Sequence, residues 1–143
     1  MIPDLQSSII CDDVRQERNG KFLLIGVFDL IASPTFPMVF QRLCIVNRWC
    51  CGSGTFTELT RVVGADGAKL GEGKPIPVVL SSPENFATNI QVFMNVQIPS
   101  EGLYWVEILL DNELKLRYPL RANRIPAPPS TPGVEPMATP GNN

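Results

Sequence analysis

Apolar and polar residues alternate with period two along most of this chain, most informatively in EGLYWVEILLDNELKLRYPLRANR, residues 101–124. Tyr104, Val106, Ile108 and Leu110 alternate on one run, and Leu114, Leu116, Tyr118 and Leu120 on the next, with Asp111, Asn112 and Glu113 between. Two such runs around a short polar turn predict half-buried antiparallel strands. Residues directly opposite share a face, so a three-residue loop sets Leu110 against Leu114, Ile108 against Leu116, Val106 against Tyr118, Tyr104 against Leu120 and Glu107 against Arg117. A two-residue Asp111-Asn112 loop would put Leu116 against Glu107. It would also place Pro119, which has no N–H, where the ladder needs a donor. The pattern therefore predicts the three-residue loop, with Glu113 near a left-handed conformation at a cost of about 1 kcal/mol. Pro119 further marks the last strand as a protected edge.

The alternation continues upstream. Residues 7–17 and 22–31 flank Asn19-Gly20, which predicts a type I′ hairpin and sets Asp13 across from Gly26. FLLIGVFDLI is apolar on both parities, which predicts a central strand covered on both sides, with Gly26 marking a bulge or a close backbone approach. SPTFP breaks the chain before a strand over residues 41–51, and Gly52-Ser53-Gly54 turns it into a hairpin with residues 55–63. Residues 69–77 read as a loop or short irregular edge. Ile90, Val92, Met94, Val96 and Ile98 then alternate as an inner face, with Gln91, Phe93, Asn95 and Gln97 outside. No useful stretch shows a period near 3.6. The expected fold is all-β, an antiparallel β-sandwich of six to eight strands with little or no helix, over residues 1–124. Residues 125–143, with six prolines and no aromatic residue, read as a disordered tail. Pro126 and Pro129 there have PxxP spacing, which short proline-rich tails reach by chance.

Composition narrows the function. A chain of 143 residues can bury a sufficient core without staples. A formal charge of -2 gives no basic field for phosphates, so nucleic acid is not an expected partner. The opening MIPDLQSSII lacks a basic start and an apolar core, and no apolar run approaches about 20 residues, so no membrane partner and a cytoplasmic location are expected.

The chemical inventory disfavours an enzyme. The absence of histidine removes the commonest general base and most zinc sites. Cys11, Cys44, Cys50 and Cys51 lack CxxC spacing, and adjacent strand residues Cys50 and Cys51 point to opposite faces, so neither a metal site nor any other cofactor is expected. A Cys11–Cys44 disulfide is stereochemically open but disfavoured in a reducing cytosol. Asp12 and Asp13, adjacent on a strand, diverge too, which spoils them as an acid/base pair; an ion site with Asp29 or Asp66 is a weaker reading than solvated surface. The glycines at 64, 67, 71 and 73 match no phosphate loop.

Two resemblances add to this. GLYWV at residues 102–106 resembles the start of the F strand in immunoglobulin-like sandwiches, where a tyrosine hydroxyl returns to upstream backbone; Tyr104 would then bond near Pro99 to Glu101. Val106 stands where antibody domains carry a cysteine. IICDDVRQERNGKFLLIGVFD, RLCIVNRW and EGLYWVEILLDNELKLRYPLR together resemble a family of small uncharacterised bacterial proteins, a domain of unknown function with a sandwich fold. That resemblance implies no catalytic residues. What remains is surface: the alternation puts Phe93 and Trp105 on outer faces, Trp105 beside Glu107 and Arg117, either covered by the 64–85 segment or a neighbouring strand or open to a partner. The reading is a non-catalytic protein-interaction or assembly module that meets an unknown protein partner or forms a homodimer through Phe93, Trp105, Glu107 and Arg117. The alternative is a small-ligand or carbohydrate-binding domain, with sugar stacking on Trp49 or Trp105. A hydrolase using carboxylates is the third class.

Overall fold

A computed structural model describes residues 1–127 as ten strands with no helix. They are β1 (Asp4–Gln16), β2 (Phe22–Val27), β3 (Leu30–Ser33), β4 (Met38–Cys50), β5 (Gly54–Val63), β6 (Lys69–Glu72), β7 (Ile76–Leu80), β8 (Ala87–Ile98), β9 (Gly102–Leu110) and β10 (Glu113–Arg124). The predicted tail lies, from residue 128 on, outside the described residues, and the PxxP spacing falls partly there. The fold is all-β. One sheet has the order β2-β1-β4-β8; the other runs β3-β10-β9-β5-β6, with β7 also paired to β5. Ile10, Leu43, Ile45, Trp49, Phe93, Val96 and Ile98 of the first sheet meet Val62, Val78, Leu80, Tyr104, Val106, Ile108 and Leu120 of the second in one core. Burial of each large side chain there contributes about 1.5–3 kcal/mol.

The terminal hairpin reconciles both loop lengths. Asp111 and Asn112 each have positive φ, 48° and 66°, and Glu113 pairs with Leu110, so the loop has two residues rather than three. Lys115 is then extra: Leu114 pairs with Leu109 but Leu116 with Ile108, and from there Arg117 faces Glu107, Tyr118 faces Val106 and Leu120 faces Tyr104. The bulge restores the register that the side chains demand. It does not place Leu114 and Leu116 inside, since both are exposed. Pro119 sits just ahead of the stretch where β3 joins β10 in parallel, Arg121 to Leu30 through Arg124 to Ser33. Only the first part of β10 is therefore an edge, and this parallel pair departs from the antiparallel expectation.

At the first hairpin the difference runs the other way. Gly20 alone is left-handed, its N–H donates to the Glu17 carbonyl at 2.9 Å, and the Glu17 N–H donates to Lys21 at 2.8 Å. The loop is Arg18-Asn19-Gly20, a type I turn closed by a glycine bulge, which needs one left-handed residue instead of two. The register moves by one: Asp13 faces Ile25, not Gly26. Gly26, at φ 70°, lies under the Asp12 carboxylate, which a Cβ would strike.

FLLIGVFDLI is not one central strand. It splits at Phe28-Asp29 into β2, an exposed edge of the first sheet, and β3, in the second. The turn at residues 52–54 likewise makes a crossover between sheets, because β4 and β5 lie in different ones. Residues 69–80 supply two short strands, which with the split strand raises the count to ten.

Candidate interaction surfaces

The second sheet carries on its outer face the group centred on Trp105. Arg117 and Arg61 flank Glu107, since β10 and β5 both pair with β9 at that level. Arg61 donates to the Glu107 carboxylate at 2.7 Å and Arg117 approaches it at 3.3 Å. The Arg117 guanidinium also lies 4.1 Å from the centre of the Trp105 ring. Trp105, Glu107 and Arg117 thus come together as expected, with Arg61 added. Cation–π stacking and two partly exposed ion pairs contribute about 1 kcal/mol or less each, and they occupy the groups a partner would otherwise meet.

Phe93 is not part of this face. It is 6% exposed and points into the core, with Gly71 of β6 lying against it. The parity of β8 is reversed from expectation over Ile90 to Met94: Gln91 and Phe93 point in, while Val92 and Met94 are exposed. The alternation changes phase at Asn95, whose φ is 54°, and Val96 and Ile98 return to the core. On β4, Phe40 and Leu43 both face the core across Gln41 and Arg42, opposite this point.

That phase change exposes a surface the sequence pattern hides. Cys11, Cys44 and Val46 pack with Val14, Leu24 and Ile90 on the outer face of the first sheet, apart from the core. Around this cluster Phe22, Val27, Phe86, Val92 and Met94 are exposed, and on the β2 edge so are Leu23 and Ile25. Burial raises the Cys11 and Cys44 thiols, so both are poor nucleophiles. An open groove of about 610 Å³ crosses the face, walled by Phe22 and Phe86 and floored by Ile9, Leu24 and Val46. Arg48 stacks on Phe86, 4.8 Å from the ring centre.

Between the sheets lies a polar cluster that the sequence reading missed. Trp49, fully buried and so closed to sugar stacking, donates its Nε1–H to Glu58 at 2.6 Å. Asn89 donates to the same oxygen at 3.3 Å, and Asn47 donates to the Thr60 hydroxyl at 3.0 Å. Glu58 Oε2 and Asn47 Oδ1 are buried without a protein partner. The signal was present: Phe56, Glu58, Thr60 and Val62 share one parity of β5.

Other titratable groups stay apart or differ from expectation. Asp13 is bound by Arg15 at 2.9 Å and Arg42 at 3.1 Å; the hydrogen bond from Arg15 above all holds its carboxyl below the usual range. Among the described residues no three His, Cys, Asp or Glu side chains gather as a metal site would require. Cys50 and Cys51 do not diverge, because Cys51 leaves the strand at φ 63° and its sulfur lies 3.5 Å from that of Cys50. Among the described residues no helix is long and apolar enough to cross a membrane.

The class these features define is an all-β domain of two sheets on one core. The chain belongs to a family of unknown function (DUF6941), matched over residues 6–123. No curated protein matches it. Among solved structures, it is similar to a Pseudomonas fluorescens alkylpurine DNA glycosylase, AlkC, bound to DNA containing an abasic site analogue. The TM-score is 0.45 at 11% identity, over 68% of this chain and 28% of that one. So distant a likeness carries no argument about function.

Proposed function

We propose that the protein is a non-catalytic assembly module that pairs with a second copy of itself through the β2 edge and the apolar face beside it. The observation that carries this reading is the exposure of an uncharged edge strand: Leu23, Ile25 and Val27 are 49%, 46% and 62% exposed. Proteins ordinarily blunt such an edge with charge or proline, and FLLIGV has neither. The strand is also self-complementary. A two-fold axis through Ile25 sets Leu23 of one copy against Val27 of the other, and Lys21 against Asp29, so opposite charges flank an apolar centre. Gly26 interrupts the edge, so the contact rests on side chains more than on a long ladder, and the two-fold closes at a dimer. The absence of histidine and the enclosure of Glu58 support the non-catalytic part. The Tyr104 corner supports an immunoglobulin-like kinship, and four free thiols suit a reducing, cytoplasmic setting.

Light scattering coupled to size exclusion tests this on the full chain. The expected result is a dimer that Ile25→Lys converts to a folded monomer. Lys21→Asp and Asp29→Lys each weaken it, and combining them restores it. A wild-type monomer at the highest soluble concentration overturns the proposal. A second reading has one observation in its favour, the groove between Phe22 and Phe86, which could seat a small apolar or carbohydrate ligand. A monomer whose Phe22, Phe86 and Thr88 nuclear resonances shift on adding an oligosaccharide would select that reading instead.

A further inference from the structure

We infer that Cys50 and Cys51 form a modification site, a vicinal dithiol that a hydroperoxide oxidises to a ring disulfide within one chain. The two sulfurs lie 3.5 Å apart, and both thiols are free. Two features of the fold bring them together. β4 ends at Cys50, where that residue still pairs with Asp4, and Cys51 then turns into the left-handed region. The turn is held from both sides: the Cys51 N–H donates to the Pro83 carbonyl at 3.2 Å, and the Ser53 N–H to the Met1 carbonyl at 2.9 Å. A non-glycine residue at φ 63° is costly, and here the surrounding hydrogen bonds fix it.

Accessibility divides the roles. Cys51 is exposed and Cys50 is nearly buried. The hydrogen bond with Cys51, and after it burial, push the Cys50 thiol up. Cys51 is therefore the attacking thiol and Cys50 the resolving one. The Cys51 thiolate attacks the peroxide, an S–O bond forms, the O–O bond breaks, and hydroxide leaves. Cys50 then attacks the Cys51 sulfur, the S–S bond forms, the S–O bond breaks, and the oxygen leaves as water with the Cys50 proton. In sum two thiols and one hydrogen peroxide give one disulfide and two waters. Adjacent Cα atoms stand about 3.8 Å apart, below the usual disulfide span, so the ring is strained and readily reduced again. That suits a reversible modification rather than a structural staple. Cys11 and Cys44, fully buried, do not compete.

Stoichiometric hydrogen peroxide on the full-length chain, followed by alkylation in denaturant and peptide mass mapping, tests this. The expected product lacks two hydrogens in the tryptic peptide spanning residues 49–61, resists alkylation there, leaves Cys11 and Cys44 alkylated, and reverts with dithiothreitol. In Cys50→Ser the resolving thiol is gone, and Cys51 is trapped by dimedone as the sulfenic acid. Alkylation of both Cys50 and Cys51 after peroxide would overturn the inference. So would an interchain disulfide, or oxidation of Cys51 to the sulfinic acid with Cys50 still a thiol.

Discussion

Glu58 is the residue that most sharply separates pattern from environment. Its carboxylate accepts from the buried Trp49 ring and from Asn89. Glu58→Gln keeps an acceptor for Trp49 and adds a donor within the cluster that holds the unpartnered Asn47 Oδ1, so its unfolding free energy in urea should change by less than about 1 kcal/mol. Glu58→Ala strands the Trp49 N–H and opens a cavity, and should cost about 3 kcal/mol in the same titration. Tyr118 gives a pH prediction. Burial pushes its hydroxyl up to about 12, against the lowering effect of its bond with Ser8 across the two sheets. The folded chain thus keeps this proton where the unfolded chain loses it. The stabilisation is present below about pH 10 and disappears as pH rises toward 12, an effect on the order of 2 kcal/mol. Subtracting the pH-stability curve of Tyr118→Phe from that of the wild type should isolate this fall. A difference curve flat from pH 9 to about 12 would contradict it.

At the scale of elements, turns decided what alternation left open. The terminal register was legible because Glu107 with Arg117, the leucine pairs and Pro119 all demanded it, and β10 meets it from Leu116 onward. The loop length is not legible in the same way, because a bulge at Lys115 satisfies the same demands with a tight turn, leaving Asp111 and Asn112 in the left-handed region instead of Glu113. Asn112→Gly should hold or slightly raise the melting temperature, whereas Asn112→Val should lose about 1–2 kcal/mol. Equal stability of the two variants would argue against the left-handed turn. In β8 the period is legible and the phase holds for Val96 and Ile98, but it is reversed from Ile90 to Met94. Nothing in the residue order announces that Asn95 changes phase, since Ile90, Val92, Met94, Val96 and Ile98 continue on one parity straight through it.

For the whole molecule, the consequence is where the surface lies. The alternation groups Phe93 with Trp105, yet Phe93 fills the core, and Trp105 is covered by Arg117. The open apolar surface belongs to the other sheet. If the β2 edges pair, the dimer binds the folded state alone and stability follows mass action. The melting temperature should rise with protein concentration in the wild type and be independent of it in Ile25→Lys. A wild-type melting temperature that ignores concentration would count against pairing.

By itself the sequence determined the all-β class, most strand positions, the pairing of β9 with β10, and the Trp105, Glu107 and Arg117 grouping. These follow from local period and from pairing between neighbours in the chain, which short-range sterics and burial enforce. Tertiary structure alone decided which sheet each strand joins, which parity of β8 faces inward, and that Cys50 and Cys51 converge. Those depend on bulges and left-handed residues that shift phase by one position. A phase has no energy of its own until the opposing sheet is in place to reward one face over the other.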